Sequence, residues 1–176
     1  MIRDNIPSLK ERIRQCAIRW GLEFEGEEKC SWKPFAKAPY HSTFSHWFDS
    51  VMGLRISEEA LKYWTDQGWK VPDLVSTFLK CYSSPGKKRK YDIHDIKYDH
   101  NIPHRECFKK MKKVWKQGGN LVDWISENRG TIDIITAKQN KERDNEGFQF
   151  SGTYEERSLN QKMILIHDGE KFIRDC

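Results

Sequence analysis

An aspartate and a histidine stand side by side in Asp99-His100-Asn101-Ile102-Pro103, and an asparagine follows far downstream in Asn140-Lys141, directly after the β-branched run Thr131–Thr136. Brought together, these side chains suit hydrolysis of a phosphodiester. That reaction needs a cation to offset charge building on the phosphate and a base to take a proton from water. His100 can serve as the base. The Asp99 carboxylate and the Asn140 carbonyl are the hard oxygen donors that one magnesium or manganese ion takes while keeping several of its waters.

The surroundings suit a polyanion. Across residues 81–116 Lys and Arg outnumber Asp and Glu eleven to four, an excess larger than the +5 of the whole chain. Two stretches dominate it: the run Lys87, Lys88, Arg89, Lys90, and the helical cluster Lys109, Lys110, Lys112, Lys113, Lys116. A helix so charged repels itself, and a phosphate backbone relieves the repulsion with release of counterions. DNA is the expected partner, with RNA as the second choice. The blander alternatives are a solvated helix with a localisation-type signal, or an acidic protein partner.

At these residues the chain resembles the HNH, or ββα-metal, endonucleases. Their outline is Asp-His-x-x-Pro, a loop often containing Gly-Gly, a strand, and a helix carrying Asn or His. Here the matching positions are Asp99, His100 and Pro103, then Gly118-Gly119, the strand 132–136, and Asn140-Lys141. The resemblance implies Asp99 and Asn140 as metal ligands, His100 as general base, and Lys141 and Arg143 as phosphate contacts. Two departures stand out. The segment between His100 and Asn140 is longer than the family usually shows, so 103–128 reads as a helical insertion. The family's middle Asn has no clean counterpart, with Asn120, Asn128 and Asp133 as candidates. The competing reading makes Asp99-His100 a polar turn before Pro103 and puts Asn140 in a charged loop.

The elements that must position these groups read as α+β without βαβ alternation. Residues 1–80 read as a helical region for recognition or association. Ser8 and Glu11 have capping-box spacing, and Leu9, Ile13, Cys16, Ala17 and Trp20 recur at helical intervals up to Gly21. Further helices are expected through 44–51, from Ser57 to Gly68, and from Pro72 through 79. Residues 81–176 read as the ββα-metal region. A short strand lies within 91–98, a helix opens at Pro103 and stops at Gly118-Gly119, and Asn120 caps another. A strand follows over 131–136, then a helix or solvated loop from Ala137. A small antiparallel hairpin closes the chain, 163–166 with 171–173 around Asp168-Gly169.

Other motifs carry less. His94, His104 and Cys107 lie near His100 but match no standard zinc finger, so structural zinc is not expected; His94 and His104 are expected in solvent and Cys107 in the core. Pro72-Asp73 with Asp95-Ile96-Lys97 gives the bare outline of a PD-(D/E)xK nuclease, but Asp73 fits a first helical turn better. Five cysteines without a CxxC pair suggest reduced thiols, and the absence of a long apolar run suggests an intracellular chain that does not enter a membrane. Seven Trp, nine Phe and six Tyr call for a real core. Two rivals to the nuclease reading follow: a non-catalytic nucleic-acid-binding protein using the basic patch at 87–116, and a subunit or adaptor, or a homo-oligomer, whose aromatics are covered in an assembly.

Overall fold

The computed structural model describes residues 7–26, 48, 50–71, 95–147 and 161–173. The expected helices at 44–51 and 72–79, the Lys87, Lys88, Arg89, Lys90 run, His94 and Asp73 lie wholly or largely outside them.

Helix α1 spans Leu9–Gly26. The Ser8 hydroxyl accepts the Glu11 amide at its start, and Ile13, Cys16, Ala17, Trp20 and Phe24 form one buried stripe. The stripe continues past Gly21, which explains why the helix runs on there: packing of Phe24 outweighs the modest helix cost of one glycine. Helix α2 spans Glu58–Asp66, capped by the Ser57 hydroxyl on the Ala60 amide, and buries Ala60 and Trp64. Helices α3, His104–Lys116, and α4, Leu121–Asn128, follow as expected; Asn120 caps α4 by accepting the Val122 and Asp123 amides.

Four strands form a mixed sheet: β1 (Gly53–Ser57), β2 (Ile96–His100), β3 (Thr131–Thr136) and β4 (Met163–His167), in the order β2-β3-β1-β4. β1 runs parallel to β3, while β2 and β4 are antiparallel to their neighbours. Helix α5, Ala137–Asn145, leaves β3 through a capping box between Thr136 and Gln139. The mixed α+β class is thus observed.

The wholly helical first half is not. β1 interrupts it and lies between β3 and β4, so strands from both sides of position 80 share one sheet. Its register explains the choice. Leu54 and Ile56 align with Ile132 and Ile134 on one face, where they join the helical core with Trp20, Phe24, Phe108, Met111 and Ile125. Arg55 aligns with Asp133 on the other face and bonds it. The C-terminal hairpin is smaller than expected: β4 pairs with β1, and a single bridge joins His167 to Phe172. Arginines fasten that end. Arg129 donates to the Val51 and Asp168 carbonyls, and Arg12 to those of Ser50 and Gly169. No helix among the described residues is long and apolar enough to cross a membrane.

Candidate metal and nucleic-acid site

β2 and β3 pair with Asp99 opposite Asp133 and His100 opposite Ile132, and β3 feeds straight into α5. The two strands are joined by α3 and α4, in the place of the expected insertion. Where the strands meet, the side-chain Oδ1 of buried Asn101 accepts the Thr131 amide at 2.9 Å. Gly130, at φ +66, lets the chain pass: a Cβ there would fall 2.6 Å from Asn101 Oδ1.

Alternation along β2 sends the two candidate groups apart. Asp99 takes the face shared with Asp133, Arg55 and α5. His100 takes the face of Ile132 and α3, where its ring centre lies 3.8 Å from that of His104. His104 is buried in the first turn of α3, not in solvent. Cys107 is buried, as expected.

Arg143, one turn beyond Asn140, is the group that meets Asp99. Its Nη1 donates to Asp99 Oδ2 at 2.9 Å, and its Nη2 to Asp133 Oδ2 at 3.0 Å and Gln161 Oε1 at 3.2 Å. Arg55 grips the same Asp133 two-pronged, Nε to Oδ1 and Nη2 to Oδ2, both 2.8 Å. Two guanidinium groups and two carboxylates balance, as buried charges must. Arg143 is only 1% exposed, so it is a structural ion-pair partner here and not a phosphate contact.

Asn140 is half-buried on α5, and its amide nitrogen donates to Asp144 Oδ2 at 3.4 Å. That bond leaves the carbonyl oxygen, the atom a metal would take, to another use. Lys141 is exposed. Of the candidates for the middle Asn, Asn120 caps α4, Asn128 donates to the Trp124 carbonyl at 2.9 Å, and Asp133 holds the arginines on the face away from His100. Among the described residues no three or more His, Cys, Asp or Glu side chains are grouped to hold a metal.

On α3, Cys107, Phe108 and Met111 face the core and Lys109, Lys110, Lys113 and Lys116 face solvent. Lys109 pairs with Glu106 at 2.8 Å. The expected cationic face is therefore present, with one of its charges partly spent.

The chain matches no protein-family model, no curated protein and no solved structure. Its site is read from its own residues. Arg55 and Gln161 are partners that sequence reasoning missed. The available signal was an arginine between Leu54 and Ile56, a charge within an apolar alternation that has to find an acid. Gln161 carried none.

Proposed function

We propose that the protein is a divalent-metal-dependent endonuclease of the ββα type, acting on DNA. The observation that carries the reading is the order of elements: an antiparallel β2–β3 pair followed by α5, with Asp99 in contact with α5 one turn from Asn140. A side-chain carboxylate that is 23% exposed and an amide carbonyl are suitable hard donors for magnesium or manganese, and solvent reaches the carboxylate. An ion held by Asp99 and Asn140 would supply positive charge to offset that building on the phosphate. The chain's own groups do the rest. Lys109, Lys110, Lys113, Lys116 and Lys141 attract and seat the phosphate backbone. His100, the last residue of an edge strand, takes the proton from water; this requires its ring to reach the substrate around the strand's end.

The test is one incubation of labelled DNA and RNA with magnesium, manganese or a chelator. Scission that needs metal and is lost in folded His100→Ala supports the proposal. Scission undiminished in that variant, or none with either metal, overturns it.

A second reading is favoured by a specific observation: Asp99 is already paired with Arg143, and His100 faces the other side of the sheet. On that reading the α3 lysines bind nucleic acid without cutting it. Salt-sensitive binding with no scission would decide for it.

A further inference from the structure

Helix α3 carries six Lys or Arg among its thirteen residues and one acid, Glu106. At about 100° per residue these cations spread over roughly 160° of the helix surface, opposite the side on which His104, Cys107, Phe108 and Met111 are buried. Lys113 lies near the middle of that arc, with Lys109 beside it. Lys110 stands on one flank, and Arg105, Lys112 and Lys116 stand on the other. We propose that α3 lies in the major groove of B-form duplex DNA, with its flanking cations on the phosphates of the two strands and Lys113 on purine edges at the groove floor. The inference rests on the nucleic-acid partner of the reading above, and holds whether or not the strand is then cut.

Three observations select this occupant. First, among the described residues none of the exposed large hydrophobic side chains, Ile18, Leu22, Leu165, Phe172 and Ile173, lies on α3. The core of a protein interface is built on aromatic and apolar anchors and is depleted in lysine, so a face of cations alone suits a polyanion. Second, the face offers no ring on which an unstacked base could lie: Trp115 is half-buried and packs on Phe24, their ring centres 5.7 Å apart. Single strands are bound on such platforms, so a duplex is the better fit. Third, the cations lie on both flanks of the helix. A single stripe would follow one strand, whereas two flanks reach both walls of a groove. The B-form major groove is about 12 Å wide and admits an α-helix, while that of A-form RNA is too deep and narrow for side chains to read. Lys109 is held by Glu106 at 2.8 Å, which leaves Lys113 as the central probe.

The test is binding of the full chain, followed by fluorescence anisotropy in a metal chelator so that no cutting intervenes. The probes are a short mixed-sequence DNA duplex, the RNA duplex of the same sequence, and the DNA duplex with each purine replaced by its 7-deaza analogue. That replacement removes the N7 acceptors of the major groove and keeps charge and pairing. At equal salt the DNA duplex should bind about tenfold more tightly than either the RNA or the 7-deaza duplex, the worth of one good base contact. Lys113→Gln should abolish the 7-deaza difference. Lys110→Gln and Lys116→Gln should keep it and each lower the slope of log affinity against log salt by about 0.9. All three lysines are exposed, so the variants keep the fold.

RNA bound as tightly as DNA, or the 7-deaza duplex bound as tightly as its parent, overturns groove entry. This proposal and the nuclease reading fail separately. Binding that senses the 7-deaza change, with no scission when magnesium or manganese is added, removes the nuclease reading and keeps the groove. Metal-dependent scission with equal affinity for all three duplexes does the reverse.

Discussion

Asp99 and His100 are chain neighbours that serve opposite faces of one strand: Asp99 meets Arg143 on α5 at 2.9 Å, and the His100 ring lies 3.8 Å from that of His104 on α3. Substitutions at the two positions should therefore separate. Changes at Asp99 act on the ion network, and changes at His100 act on the packing of β2 against α3.

The network's weakest point is its shared acid. Asp133 is fully buried and holds both arginines. Asp133→Ala leaves two buried guanidinium groups short of a partner and should cost about 3–5 kcal/mol in urea unfolding. Arg143→Met should cost less, because Asp133 keeps Arg55 and Asp99 has solvent. Equal losses for the two would contradict this division of charge.

Exposed Lys109, Lys110, Lys113 and Lys116 give a salt signature. Alanine at each lysine that touches duplex phosphate should lower the slope of log affinity against log salt by about 0.9. An unchanged slope across all four replacements would move the binding surface off α3.

The parallel strands β1 and β3 end in adjacent helix caps that are cross-linked. Ser57 caps α2 and donates to Gln139 of α5 at 2.7 Å; Thr136 caps α5 and donates to Glu59 of α2 at 3.2 Å. Each alanine replacement should cost about 1 kcal/mol in thermal or urea unfolding. Because the hydroxyls bridge the same two helices, the double variant should depart from additivity. Strict additivity would mean that the caps act alone.

Acidification should loosen the C-terminal turn. Burial pulls the His167 imidazole below its ordinary range, against the opposing pull of Asp168, and its Nδ1 accepts the Gly169 amide. The unfolded chain then binds the extra proton more readily. Stability is complete above the ordinary histidine value and falls as pH drops through it towards the depressed folded value. Melting temperatures from about pH 7.5 to 5.5 should fall in wild type and fall less in His167→Asn. Asp168, held low first by the Lys171 backbone amide, then the Glu170 amide, contributes its own loss only in the carboxylate range, further into acid.

Much of this architecture is legible along the chain, and the gaps have physical reasons. α1 to α4 announce themselves because caps such as Ser57 and Asn120 and stripes such as Ile13, Ala17 and Trp20 satisfy local rules. α5 does not, because the residues it buries are Gln139 and Arg143, polar groups that no hydrophobic period reveals. β1 hides for a related reason: Leu54 and Ile56 alternate with Arg55 and Ser57 over only five residues. The two strands can be read from their alternating and β-branched residues, whereas the segment from Ala137 stays open between a helix and a solvated loop. Whether Arg143 chooses a phosphate or a carboxylate is decided by what folds beside it.

The pairing of β1 with residues 131–134 and 163–167 also constrains how the molecule is made. A nascent chain that has emerged only as far as the end of α2 at Asp66 has neither neighbour of β1, and must shield Leu54 and Ile56 until β3 begins at Thr131. Such distant closure is intrinsically slow, so truncation before β3 should yield aggregation instead of a small stable fragment.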